Sequence, residues 1–464
     1  MGILANPKNF IQMNFRLLIL ILLTPAFSFA QFLSPDAPLQ QAYIKATQQD
    51  RLIFLMIESE ECQQCNDVAD KAFQNDSLKN YVAANFVALR ISPFHSDLNL
   101  LRDKYNYQGG NSVLFLDKWG TLVYRMNMST TEYSKYLLQC RIALTKKAEA
   151  DQLRSLEQDA LTGKIETDRL YQLMQKRRTL SLPIDALLDQ YVKQLPADSL
   201  NSITTIKRIA KMSPVLQSKA DSAMRGNEQL FHQAWNSFYK GEQLAINREI
   251  IFKSRQAAVE EKSLSKAVEA AKFARLSHTD KDAGENAYNY SMMEFHRHIK
   301  DTAAFLKAAV VYYDRFLKKY SADSIKKLDS LRMAALARRK FNPPAQDTVG
   351  RPANFTRTTS TIRYRSQASH YSQLLNNGAR SVYLMTNNPV YLKKALQWSV
   401  YANRFFETPY VLDTWARLVF KVDKNVDWAI QLEEKAIAIL KNQGYSAAKH
   451  EEVVSKMKKN EIIR

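Results

Sequence analysis

Glycine is scarce in this chain, with 11 residues in 464, and that scarcity suits long helices. Cysteine is scarcer still, limited to Cys62, Cys65 and Cys140. A structural zinc site wants four ligands in tetrahedral array, so one cysteine pair with no second pair argues against such a site. The chain also lacks a serine-histidine-acid arrangement, a glycine-rich phosphate loop and a paired-carboxylate signature. No cofactor and no metal are therefore expected, and the cysteines alone remain as candidate chemistry. Past the first thirty residues no segment is apolar enough to span a bilayer. What is present is ordinary for a folded protein. Hydrophobic residues make up 46% and charged residues 24%, and the length is compatible with two or three domains of roughly 150 residues each.

The N-terminus has the pattern of a secretory leader. Lys8 and Arg16 precede the apolar run Leu17–Leu23, and Ser28-Phe29-Ala30 supplies small residues for cleavage. Gln31 stands where a lipoprotein would need cysteine, which disfavours lipid attachment. The expectation is export, to the periplasm or beyond it. Charge then divides the mature chain unevenly. Residues 31–147 hold 13 Lys+Arg against 12 Asp+Glu, a net of +1; with +20 for the whole chain and +2 in the leader, +17 falls on the remainder. Basic helices outside the cytoplasm rarely meet nucleic acid, so acidic polypeptides or anionic envelope surfaces are the expected attractors.

From Leu39 to Lys147 helical and strand-like patterns alternate. Leu52–Ile57 has the pattern of a fully buried strand, followed by Phe86–Ile91, Val113–Leu116 and Thr121–Arg125, the last after the turn Asp117-Lys118-Trp119-Gly120. Helices are expected before the first strand, from the first cysteine, between the second and third strands, and over Thr131–Leu144. The order α-β-α-β-α-β-β-α implies an α/β fold, a mixed sheet with helices on both faces. Beyond Lys147 strand signals nearly vanish. Phe341-Asn342-Pro343-Pro344 through Thr359 interrupts the helices with prolines and Gly350. The expected organisation is a leader over 1–30, an α/β domain over 31–147, a helical region over 148–340, an irregular loop over 341–360 and helical hairpins over 361–464.

Cys62-Gln63-Gln64-Cys65 lies where a buried strand gives way to a helix. A sulfur at a helix N-terminus faces unpaired N–H groups and the positive end of the dipole, which favours thiolate. Cys65, one turn later, can attack a mixed disulfide formed at Cys62. With the strand Leu52–Ile57 and the run Asn111–Gly120, this motif resembles the thioredoxin superfamily over about a quarter of the chain. The resemblance implies catalytic roles for Cys62 and Cys65, and a substrate groove at Asn111 and Ser112. Three departures accompany it. Glu58, Ser59, Glu60 and Glu61 precede the motif in place of tryptophan; Met56 replaces a buried carboxylate; and Asn111 stands where the family has a cis proline. A cis bond without proline costs about 3–4 kcal/mol, so a trans bond and an altered groove are expected.

Late in the chain Ala395, Trp398 and Ala402 recur as Ala429, Leu432 and Ala436, each 34 residues on, the tetratricopeptide period. Small residues seven apart stay on one helix face and let two helices approach closely. The region resembles degenerate tetratricopeptide hairpins, whose stacked form suits binding a protein client. Two functions follow as expectations: an exported thiol-disulfide oxidoreductase acting on a protein client or redox partner, or a non-catalytic envelope scaffold in which Cys62–Cys65 is a structural disulfide. Cys140 is expected to be a buried small hydrophobe.

Overall fold

The computed structural model describes residues 32–59, 62–163, 165–341 and 366–463. The expected leader over 1–30, and all of the expected irregular loop 341–360 except Phe341, lie outside them. Phe341 ends a helix. Among the described residues no helix is long and apolar enough to cross a membrane. The chain divides into two compact units, Met1–Lys164 with Thr179–Leu182, and Ile165–Arg178 with Pro183–Arg464.

The first unit is built around β1 (Leu52–Ile57), whose six apolar residues are all buried. It pairs in parallel with β2 (Phe86–Ile91), Leu52 opposite Phe86, and antiparallel with β3 (Ser112–Leu116), Ile53 opposite Leu116. β3 continues antiparallel into β4 (Leu122–Met126), completing the mixed sheet β2-β1-β3-β4. A strand flanked on both edges and covered on both faces has no use for alternating polar residues, which is why β1 is a continuous hydrophobic run. Side chains still alternate in direction. Leu52, Phe54 and Met56 join one core with Ala69, Ala72, Leu78, Val82, Tyr136 and Cys140. These come from α2 (Gln63–Phe73), α3 (Asp76–Asn85) and α5 (Tyr133–Thr145). Phe54 is central there, ringed edge-on by Phe32, Phe73, Phe86 and Phe115 at 5.5–6.3 Å. Complete burial of such a ring contributes about 1.5–3 kcal/mol. Ile53, Leu55 and Ile57 face the other way, where α1 (Leu39–Gln49) packs with Leu39, Ala42 and Ala46. α4 (Leu98–Tyr105) is tied to α1 through Tyr105 and Tyr43, whose hydroxyls lie 3.0 Å apart.

The α/β architecture is the expected one, with one difference. The helix that starts at the first cysteine is two helices, because Asn75 turns out of α2 and caps α3, its Oδ1 accepting the Leu78 N–H at 3.2 Å. The turn after β3 is fixed by Asp117, whose Oδ1 accepts the N–H groups of Trp119 and Thr121. Gly120 closes it at φ +78°, a conformation favouring glycine. Arg154 of α6 (Lys147–Leu161) pairs with the same carboxylate at 2.6 Å, so α6 packs on this unit.

The second unit is helical. Consecutive helices pack as hairpins, Gln367–Met385 on Pro389–Phe405 and Pro409–Leu418 on Val426–Asn442. Both prolines sit at helix starts after side-chain caps, Asn388 and Thr408. There the missing N–H costs nothing and the fixed φ helps. The repeat residues Ala395, Trp398, Ala402, Ala429, Leu432 and Ala436 are all buried. Trp398 packs on Tyr313 with ring centroids 5.0 Å apart and donates its indole N–H to Asp314.

A buried polar cluster links the last hairpins. Asp413 pairs with Arg417 at 2.7 Å and Arg380 at 3.3 Å, while Glu433, fully buried, lies 2.9 Å from His450. Burial, reinforced by the nearby Asp413 charge, pushes the Glu433 carboxyl up to about 8. Burial works against the charged imidazole of His450, but the bond to Glu433 outweighs it and raises its value. A group harder to deprotonate folded than unfolded stabilises the fold while protonated. For Glu433 that contribution is complete below its ordinary 4.5 and lost as the pH rises through about 8; His450 acts in the same direction above 6.5. The urea midpoint, followed by far-ultraviolet circular dichroism, is therefore expected to fall from about pH 5 to 8, and Glu433→Gln to flatten that slope. An equally steep slope in the variant would refute the assignment.

Candidate functional site

The cysteine pair sits where β1 ends. Cys62 is the N-cap of α2: its sulfur accepts the Cys65 N–H at 3.2 Å, and its carbonyl accepts the same N–H at 3.0 Å. The two residues are joined in a disulfide with Cα atoms 5.2 Å apart, and both are partly exposed. Burying β1 thus carries the chain to the C-terminal end of a central strand, and the cap holds the first sulfur against the N-terminal amides of α2.

The loop before the motif is clamped by the residue after it. Asn66 is buried; its Oδ1 accepts the Ser59 N–H and its Nδ2 donates to the Ser59 carbonyl, both at 2.9 Å. That pairing fixes the orientation of the Asn66 amide. It forces Asn111, buried opposite, to offer its Nδ2 to Asn66 Oδ1 at 3.1 Å, leaving Asn111 Oδ1 buried without a partner. Ser59 Oγ donates to the carbonyl of Gly109, which sits at φ +87°. Tyr107 donates to the carbonyl of Glu58 at 3.2 Å. The network therefore joins the segments before Cys62 and before β3. The peptide bond preceding Asn111 is trans, the ordinary form for a residue other than proline. Ser112, also buried, donates to Asn127 Oδ1 at 3.1 Å.

The electrostatics differ from a plain reading of the acidic approach. Glu58 is paired with Arg90 at 2.8 Å, and Arg90 also reaches Asp70 at 2.5 Å, so this carboxylate does not act on the sulfurs unopposed. Glu60 and Glu61 lie outside the described residues. Met56 is fully buried, facing α2 and α3. Cys140 is fully buried, and burial alone pushes its thiol up to about 12, which keeps it inert at neutral pH.

Beside Cys65 opens a cavity of about 300 Å³ whose wall includes Asn111, Ser112, Arg125, Asn127 and Ser129. The structure therefore brings Cys65, Asn111 and Ser112 together. Asn66, Arg90 and Arg125 were not legible as site residues, because single polar residues on helix starts and strands have no distinguishing spacing. Among the described residues one group of three possible metal donors occurs, Asp413, Glu433 and His450. Arg417 and Arg380 already supply Asp413 with positive charge, so the group acts as a charge network.

A family model described as thioredoxin-like matches residues 35–117, a span containing both cysteines, the Asn66 clamp and Asn111. The N-terminal region is a thioredoxin-like domain. No curated protein matches the chain. Within the thioredoxin-like domain, the departures from the family pattern are held by specific contacts: the Asn66 amide takes up the buried polar face of Asn111. Asn66→Ala removes partners from two backbone groups and one side chain. It is expected to lower stability by about 1–3 kcal/mol in urea unfolding of the oxidised protein, and a loss under about 0.5 kcal/mol would show the clamp to be dispensable.

Proposed function

We propose that the protein is an exported thiol-disulfide oxidoreductase of the thioredoxin-like type, whose helical region binds a protein client. One observation carries the reading: a partly exposed Cys62–Cys65 disulfide at the first turn of a helix, with Cys62 as its cap. In the reduced state the Cys62 thiolate attacks a client disulfide; the Cys62–client bond forms and the client's other sulfur leaves as thiolate. The Cys65 thiolate then attacks the Cys62 sulfur, closing Cys62–Cys65 and releasing the client as a dithiol. Two electrons pass from the pair to the client, and the reverse sequence oxidises a client dithiol. Export is supported by the leader pattern around Lys8, Arg16 and Leu17–Leu23, and client binding by the basic, hairpin-built helical region.

A second reading, a scaffold whose disulfide serves stability alone, draws on the Asn66–Ser59–Asn111 clamp, which holds the loop before the motif rigidly. Insulin reduction by the full chain separates the two. Under the oxidoreductase reading Cys62→Ser loses activity by at least about 100-fold, since the attacking sulfur is gone, and Cys65→Ser accumulates a mixed disulfide at Cys62 detectable by mass. Negligible activity in wild type and Cys62→Ser alike, with no trapped adduct, leaves the scaffold reading standing.

A further inference from the structure

The cavity beside Cys65 has a charge on its wall that no carboxylate of the described residues balances. Arg125, on β4, donates one guanidinium N–H to the Tyr105 carbonyl, and its Nε is buried without a partner. No carboxylate of the described residues lies within ion-pair distance of it. In the same domain Arg90 faces Glu58 and Asp70, and Arg154 faces Asp117 and Asp151. Burial alone, with no charged neighbour to offset it, pulls the Arg125 guanidinium down to about 10. Two further polar atoms of residues lining the cavity are buried and unpartnered, Ser129 Oγ and Asn111 Oδ1. Asn111 is more than nine-tenths buried, and its orientation is dictated by Asn66. A half-buried cation and a hydroxyl able to donate thus belong to residues that line the same cavity as the second cysteine, while the Asn111 amide oxygen, an acceptor, takes no part in holding an anion. The cavity's volume of about 300 Å³ is at the small end for ligand sites.

We propose that this cavity recognises a carboxylate held a few bonds from the sulfur that exchanges with the Cys62–Cys65 pair, with Arg125 as its counter-charge. The proposal rests on the redox reading above and specifies the substrate class. In the reaction an incoming thiolate that carries the carboxylate attacks Cys62; its sulfur bonds to Cys62 and Cys65 leaves as thiolate. A second such thiolate releases the substrate disulfide, oxidising two thiols as the pair is reduced. The carboxylate belongs either to a small free thiol or to an acidic residue beside a client's cysteine, and the chemistry is the same for both.

The test is the rate of reduction of the oxidised full chain by 3-mercaptopropionate, 3-mercaptopropanol and cysteamine, each normalised to its thiolate concentration. At low salt the carboxylate thiol is expected to react about five-fold or more faster than the alcohol, with the ammonium thiol slowest. The advantage should shrink in about 0.5 M sodium chloride, and the propionate-to-alcohol ratio should fall towards one in Arg125→Gln. The same comparison with acetyl-Gly-Cys-Glu-Gly-amide and its Gln counterpart distinguishes the sources: a preference confined to the small acid indicates a free thiol, and one for the Glu peptide an acidic client. Equal rates across all probes in the unmodified protein, or an undiminished ratio in Arg125→Gln, overturn the proposal while leaving the redox reading intact. A pair that no thiol opens overturns both.

Discussion

The thioredoxin-like domain depends on the burial of β1. Six consecutive apolar residues are paired on both edges and buried on both faces, and a one-residue slip would exchange the side chains fitted to the two core faces. The strand must therefore deliver the following loop to one fixed place. There Cys62 takes over the cap of α2, and a sulfur rather than a hydroxyl or carboxylate oxygen accepts the first turn's N–H. The same residue that starts the helix holds the disulfide. Structure and candidate chemistry meet in one side chain.

Around that point the protein replaces familiar family features with hydrogen bonds. Asn111, where the resemblance implies a cis proline, follows a trans bond, and its amide is committed to Asn66. Asn66 in turn satisfies both backbone groups of Ser59. Buried amides so arranged are costly unless nearly every donor and acceptor is met. Here one acceptor, Asn111 Oδ1, is left without a partner. The cavity beside Cys65 is thus lined by buried polar groups, and Arg125 adds a charge that no carboxylate of the described residues meets. In the helical unit charges are handled differently: Asp413 is matched by Arg417 and Arg380, and Glu433 by His450, well inside the hairpins.

Much of the fold is legible in the sequence where hydrophobic pattern alone decides. β1 is an uninterrupted apolar run and β2 one broken only by Arg90, both with the bounds the pattern implies, and β3 and β4 differ from it by a residue at their ends. The alanines repeating at 34 residues mark buried helix faces because only small side chains fit there. The division between α2 and α3 is not legible, since Asn75 is one polar residue inside a helical pattern and its capping role depends on the turn it makes. Of the site, the two cysteines are legible through their spacing. Asn66, Arg90 and Arg125 are not, because their importance arises from partners 7 to 45 residues away or from the lack of one.

The account stands on Cys62 being the reactive sulfur because it caps α2, with Cys65 one turn further along the helix and Cys140 sealed in the core. Timed alkylation of the dithiothreitol-reduced full chain by iodoacetamide at about pH 7, resolved peptide by peptide, tests this directly. The account predicts that Cys62 is modified about ten-fold faster than Cys65, and that Cys140 is untouched until the protein is denatured. Equal rates at Cys62 and Cys65, or a Cys62 that reacts only after denaturation, would contradict it.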